Sequence, residues 1–407
     1  MHILDLEAKL KIINFDHFAA TSMRQEVKEA MDPFFINEYG NPQSIHALSD
    51  EPREALARAR LQAADLLNAT SNEVIFTSSG SESNNLAIKG TAFARMDKGK
   101  HIIVSKIEHF SVLNAVKSLT KLGFEVSEVS VDKYGLVDPQ DVKNALRKDT
   151  ILVSITHASN EIGTIQDIKE ISRIVHENSG AYMHADANTS CGFIETDVKE
   201  LGADMLSAAP HRFYGPKGTG LFYLKKGVRV MPLIDGGIQE FGRRAGTENI
   251  PAIVGAGVAC ELAKKELKDR TAHLLPIQKE IISGVLSGLD EVYLNGHPEK
   301  RLPNNINFVV KYIEGESMLM WLNNNGIMVA SGSACTSKIL KSSHVLSAIG
   351  VDPALAQGSL LISLGQDNSL EDAAFFIKEL PGVVNKLRQM SPLYEGIKKE
   401  NKAQKDK

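Results

Sequence analysis

Four short stretches bring together residue types that can hold and react with a small charged ligand. In Thr77-Ser-Ser-Gly-Ser-Glu-Ser83 a β-rich run, Glu73–Thr77, turns through small residues into a helical pattern. Backbone N–H groups at such a helix start favour an anion; Gly80 lets a phosphate approach the main chain, and Ser81 adds a hydroxyl. A plain capped helix with Ser81 as its N-cap fits equally well. In Tyr182-Met-His-Ala-Asp186 an acid ends a buried strand. Ligands of parallel sheets gather beyond such strand ends, and Asp186 there can face a protonated ring nitrogen or simply cap a helix. Ser207-Ala-Ala-Pro-His211-Arg212 places two basic side chains before a Gly/Pro-rich turn, where they face a phosphate or only solvent. In Gly326-Ile-Met-Val-Ala-Ser-Gly-Ser-Ala-Cys335-Thr-Ser a strand gives way to small residues that leave one thiol exposed. A lone cysteine is more often a small buried hydrophobe. Cys260 fits that description and Cys335 does not.

The elements that must position these residues alternate between strand and helix patterns. Apolar residues recur at helical spacing over 51–68 and 84–94, and strand-like runs lie at 101–105, 125–131, 150–155 and 181–185. This rhythm predicts a mainly parallel sheet with helices on both faces. After about Lys265 longer amphipathic helices and separate strands at 305–310 and 360–363 predict a smaller α+β domain. The expected division is a large cofactor-type domain, 16–264, and a small domain of 1–15 with 265–395 that bears the Cys335 loop. A polar tail, 396–407, follows.

The 407 residues carry 46 Lys+Arg against 50 Asp+Glu, a net charge of −4, which offers no electrostatic case for nucleic acid or a membrane surface as the main partner. The opening residues do not read as a secretory signal, and no apolar run reaches the ~18 residues of a membrane span. Three cysteines without a CxxC pair exclude a disulfide framework and a cysteine-rich zinc site; no metal site is expected, and a cytoplasmic setting is.

Taken together, and with Gly40-Asn-Pro-Gln-Ser-Ile-His46, Glu108-His109, Asn160-Glu-Ile-Gly163, Gly242-Arg-Arg-Ala-Gly-Thr-Glu-Asn249 and Ser363-Leu-Gly365, these stretches resemble the cysteine desulfurases of the NifS/IscS type. The resemblance runs from Asp16 to about Leu393. It implies a class V aminotransferase chain of the pyridoxal phosphate (PLP)-dependent transferase fold type I. It also implies L-cysteine as substrate, alanine as product, and a persulfide on Cys335 that feeds iron–sulfur cluster assembly. By the same resemblance His109 stacks on the cofactor ring, Asn160 reaches its oxygen and Asp186 its nitrogen. Gly80, Ser81 and His211 hold the phosphate. Thr247 reaches the phosphate of a neighbouring subunit, so a homodimer is implied, with an iron–sulfur scaffold or other sulfur acceptor as further partner.

Four positions depart from the family. Its cofactor-bearing Lys is Arg212, its ring-oxygen Gln is Thr189, its phosphate-binding Ser is Ala209, and the Arg that clamps the substrate carboxylate is Leu361. A guanidinium with a pKa above ~12 cannot serve as the amine nucleophile or proton shuttle, so covalent attachment of PLP is not expected. Loss of the carboxylate clamp costs on the order of 1.5–3 kcal/mol. Lys217 stands five residues beyond the usual lysine and matches a structural lysine of the family. The sequence therefore predicts a desulfurase-family protein impaired or inactive in PLP-lysine chemistry, or a non-catalytic homologue acting as dimer partner, scaffold or sulfur relay. An acidic ligand bound by Arg212 in a remodelled site is a further reading.

Overall fold

The computed structural model describes residues 11–332, 343–391 and 394, so Cys335 and the Lys-rich end lie outside the described residues. Twelve strands occur among them: β1 (Ile13–Asn14), β2 (Val74–Thr77), β3 (His101–Ser105), β4 (Glu125–Val129), β5 (Thr150–Thr156), β6 (Tyr182–Asp186), β7 (Met205–Ala208), β8 (Gly220–Leu224), β9 (Val292–Leu294), β10 (Asn305–Val310), β11 (Ile327–Met328) and β12 (Ser359–Ser363). The largest sheet has the order β2-β8-β7-β6-β5-β3-β4. Its β7-β6-β5-β3-β4 portion is parallel, and β8 runs antiparallel to both β2 and β7. The fold is thus the mixed α/β architecture expected. β3, β5 and β7 are buried at every residue, which is why they read as near-continuous apolar runs instead of alternating ones.

The two edges of this sheet are protected differently. At one, β4 exposes Glu125 and Glu128, charges that discourage pairing with another chain. At the other, β2 is wholly buried and its outer main-chain groups are taken by a buried ion pair. Arg60 forms a bidentate pair with Glu240, each contact 2.6 Å, and also donates to Val74 O at 2.7 Å. Glu240 in turn accepts Phe76 N–H at 2.8 Å. The guanidinium lies between the rings of Phe76 and Phe241, 4.9 and 5.0 Å from their centroids. Glu240 and Phe241 have φ of 46° and 58°, left-handed values that cost non-glycine residues about 1–3 kcal/mol each. The pair holds this strained turn against the sheet edge.

The remaining strands form a three-stranded antiparallel sheet, β12-β10-β9, and a parallel pair, β1-β11. The helix Ile250–Gly288 runs unbroken across the expected division at 264/265 and packs against the helices Asp50–Leu67 and Leu370–Met390. Cys260 is fully buried on it, and Cys191 is buried nearby. Among the described residues, no helix is long and apolar enough to cross a membrane.

Polar side chains are also buried at the sheet centre, each with a partner. His184 on β6 bridges the hydroxyls of Ser154 on β5 and Ser207 on β7, at 2.8 and 3.0 Å. Glu108 accepts Ser105 Oγ at 2.5 Å and Thr156 N–H at 2.8 Å. Burial pushes His157 and His184 down to about 4 from 6.5. It pushes Glu108 and Glu161 up to about 8 from 4.5.

Two expectations follow. Arg60→Met leaves Glu240 buried without its cation and should lower unfolding stability by about 3–5 kcal/mol in a urea titration, with Arg60→Met/Glu240→Leu recovering part of the loss. The second concerns pH. The histidines are neutral when folded, so their contribution is lost as pH falls from 6.5 towards 4. The carboxyls are neutral when folded, so their contribution is complete below 4.5 and is lost as pH rises towards 8. Between pH 6.5 and 8 only the carboxyls of this set still titrate differently in the two states. Stability should decline across that window, and Glu108→Gln should remove about half of the decline, since two acids share the slope.

Candidate active site

A cavity of about 270 Å³ opens at the carboxyl ends of β5 and β6. Eight of the residues expected to bind a cofactor line it: Gly80, Ser81, His109, Asn160, Asp186, Thr189, His211 and Arg212. They come from the turns after β2, β3, β5, β6 and β7, and only the sheet brings them together. Ala209 lines the cavity as well, whereas Thr247, Leu361 and Lys217 do not. Thr247 is exposed on its own chain. Leu361 is buried on β12, where its main chain exchanges hydrogen bonds with Ala330.

Asp186 is 4% exposed, and both its carboxylate oxygens are held by amides. Asn84 donates from Nδ2 to Oδ2 at 2.7 Å. Asn188 donates to Oδ1 from Nδ2 at 2.7 Å and from its main-chain N–H at 3.0 Å. The last bond closes a local turn, so Asp186 is not at a helix start. An ionised carboxylate offers about four acceptor sites, and three are filled here, which leaves one for a donor in the cavity.

Asn84 also donates to Ser111 Oγ at 2.8 Å, and His109 Nδ1 accepts the Ser111 N–H at 3.1 Å. That acceptor role leaves the imidazole proton on Nε2. Burial lowers the His109 pKa, Asp186 opposes this, and Arg212 adds to it. His109 is therefore a neutral ring at the cavity wall, fixed by its position before the helix Phe110–Thr120.

The turn after β2 is tighter than its sequence suggests. Its helix, Gly80–Asn85, is capped by Ser79, whose Oγ accepts Glu82 N–H at 3.1 Å; the cap is thus not Ser81, which is left at the cavity. Glu82 accepts Ser78 N–H at 2.8 Å and the Ser78 hydroxyl, and pairs with Arg244 Nε at 3.0 Å. A Cβ at Gly80 would fall 2.0 Å from Asn188 Oδ1, so glycine is required by that side chain.

On the opposite wall burial, then Arg212 and Lys217, pushes His211 down to about 4. The His211 carbonyl accepts both Thr21 N–H, at 3.2 Å, and the Thr21 hydroxyl, at 2.9 Å, so the turn carrying Arg212 is tied to the N-terminal segment. Burial raises the pKa of Asp16, and the nearby Arg212 guanidinium opposes this. Tyr214, two residues on, adopts φ of 72° and accepts Gln366 N–H on its phenol oxygen at 2.8 Å.

These side chains test whether PLP suits the cavity. One open acceptor on Asp186 matches a protonated ring nitrogen. The neutral His109 offers an imidazole to a ring, and Ser81, Gly80 and His211 offer small or donor groups to a phosphate. Among the described residues that line the cavity none is a lysine. Asn84 and Asn188 were missed from sequence. The one available signal was the spacing of Asn188 two residues after Asp186, which permits a local turn.

Comparison with known proteins accords with this geometry. A class V aminotransferase family model matches residues 13–376. The chain is 50% identical over 383 residues to a cysteine desulfurase IscS of Methanosarcina thermophila, covering 94% of each. It is 50% identical over 380 residues to that of Dictyoglomus turgidum, covering 93% of this chain and 96% of the relative. Among solved structures, a NifS-like protein superposes with a TM-score of 0.87 at 36% identity, covering 92% of this chain and all of that one. Likeness that extends nearly end to end in both sequence and fold has one reading: the chain belongs to the class V aminotransferase family, among the cysteine desulfurases of the NifS/IscS type.

Proposed function

We propose that this protein is a sulfur-mobilising desulfurase homologue that holds PLP by non-covalent contacts and has lost the fast cysteine turnover of its relatives. The observation that carries this reading is Arg212. It stands in the cavity wall where the family has its lysine, and none of the described residues that line the cavity offers an amine.

Bound PLP supplies an electron sink at the substrate's α-carbon. In this chain Asp186, oriented by Asn84 and Asn188, would pair with the protonated ring nitrogen. His109 would cover one ring face and Asn160 with Thr189 would face the ring oxygen. Gly80, Ser81 and His211 would hold the phosphate. Arg212 is permanently protonated and can neither form the covalent link nor relay a proton, though its charge favours an anionic ligand. Leu361 supplies no charge to a substrate carboxylate. Cys335 would carry sulfur to an iron–sulfur scaffold or another acceptor.

A homodimer is proposed on two grounds: the family's use of the Thr247 position across subunits, and a set of exposed apolar side chains that includes Phe35, Ile36, Ile45, Ile238 and Phe241. With charge nearly balanced and two of the three cysteines buried as free thiols, a cytoplasmic setting is the proposed location.

Purified protein mixed with PLP should take it up with an absorbance change that dialysis reverses and borohydride does not fix. Alanine release from L-cysteine should run at least about 100-fold below that of a lysine-bearing relative, the scale lost with a positioned acid–base group. Borohydride-fixed cofactor or fast turnover by the unaltered chain would overturn the reading. Arg212→Lys should gain borohydride-fixable PLP while KM for cysteine stays high. Adding Leu361→Arg should then lower KM by about 10- to 100-fold, as expected for restoring a charge-assisted pair.

A further inference from the structure

Glu161 neighbours the cavity residue Asn160 in sequence but does not line the cavity. Its main chain is fixed on both sides. Its N–H donates to Ser159 Oγ at 3.3 Å, and its carbonyl accepts Asn305 Nδ2 at 3.2 Å and Asn307 Nδ2 at 3.1 Å from β10. The side chain is buried, and it meets two residues that are far apart in the chain. A Cβ at Gly332 would fall 2.0 Å from Glu161 Oε1 and 2.6 Å from Cδ, so residue 332 lies directly against the carboxyl. The Ser343 hydroxyl faces the same side chain and favours its ionised form, against the burial that raises its pKa. Gly332 and Ser343 are the two described residues that flank the segment containing Cys335.

Both flanks are further fixed. Gly332 N–H donates to Ser359 Oγ at 3.2 Å. Ser343 Oγ accepts Leu346 N–H at 3.1 Å and so caps the helix His344–Ala348. His344 then donates from Nε2 to Glu108 O at 2.9 Å, and its ring lies 4.7 Å from that of Phe110, on the helix that follows His109. One buried carboxyl therefore packs against Gly332 at one end of the cysteine-bearing segment and is faced by Ser343 at the other, and that second end rests on the element that follows the cavity's imidazole.

We propose that Glu161 is a positioning residue that ties together the two ends of the Cys335 segment and sets where that segment leaves the fold. Burial keeps the carboxyl protonated at neutral pH, with a pKa pushed up to about 8, so the role needs a neutral hydrogen-bonding group and not a charge. Gly332 is required because any larger side chain would displace the carboxyl. That Cys335 carries sulfur rests on the function proposed above; the anchoring does not.

Amide hydrogen exchange on the full chain reads this without turnover or cofactor. In Glu161→Ala, the amides of Gly332, Leu346 and Ser347 should exchange at least about tenfold faster, as expected where a buried hydrogen bond is removed, while those of β5 and β6 keep their protection. Glu161→Gln, neutral and of the same shape, should stay within about twofold of the unaltered chain. Gly332→Ala should reproduce the Glu161→Ala pattern and serves as the test if Glu161→Ala does not fold. The proposal is overturned if neither alanine variant loosens these amides, if loosening spreads equally through β5 and β6, or if Glu161→Gln loosens them as much as Glu161→Ala. Normal exchange behaviour without cysteine turnover would leave the anchoring intact and bear only on the function.

Discussion

Much of the site depends on one buried carboxylate. Asp186 ends β6 almost wholly out of water, where polar oxygens are costly unless hydrogen bonds fill them. Asn84 and Asn188 fill most of them, and each requirement propagates. Asn188 occupies the space in which residue 80 would otherwise carry a side chain, so that residue must be glycine. Asn84 holds Ser111, and Ser111 fixes the tautomer of His109. An acid facing the cavity, a bare backbone turn and an oriented imidazole are thus consequences of one burial.

The departures from the family leave this arrangement in place. On the function proposed above, Arg212 and Leu361 stand where the family would bond covalently to PLP and clamp a substrate carboxylate. They leave untouched the network around Asp186 and the Ser79-capped turn. Arg212 also keeps the turn's local structure: its N–H donates to Ala209 O, and the His211 carbonyl remains tied to Thr21.

The Arg60–Glu240 pair plays a comparable structural part at the sheet edge. It satisfies the outer main chain of β2 and holds a left-handed turn that few side chains would adopt. Arg244, from the same segment, reaches Glu82 and braces the turn beside Gly80. The segment carrying Thr247 is therefore attached to the turn beside Gly80, although Thr247 itself does not line the cavity. A residue that is exposed on one chain and belongs to a motif of the family is what a shared site between subunits would require.

Most of the strands were legible in the sequence, because buried parallel strands such as Ile102–Val104 and Leu152–Ile155 leave continuous apolar runs that no solvent-facing element needs. The eight cavity residues were legible too, but by their resemblance to a family, since residue types alone left each stretch with an ordinary alternative. The capping alternative at Ser81 is not the one the fold uses, because serines on either side of Gly80 have the same propensity and only the path of the chain chooses Ser79. Asn188 left only its spacing from Asp186 as a signal, and Asn84 and the packing of Glu161 against Gly332 could not be read at all. Each joins residues from separate turns, and their partners are defined by which carboxyl ends the sheet order sets side by side. The sequence alone determined the chemistry available: an acid, an imidazole, a thiol and a guanidinium where an amine would be needed. Tertiary structure decided which of these share a cavity and which side chains must stay neutral, because distance and burial arise only when distant segments pack.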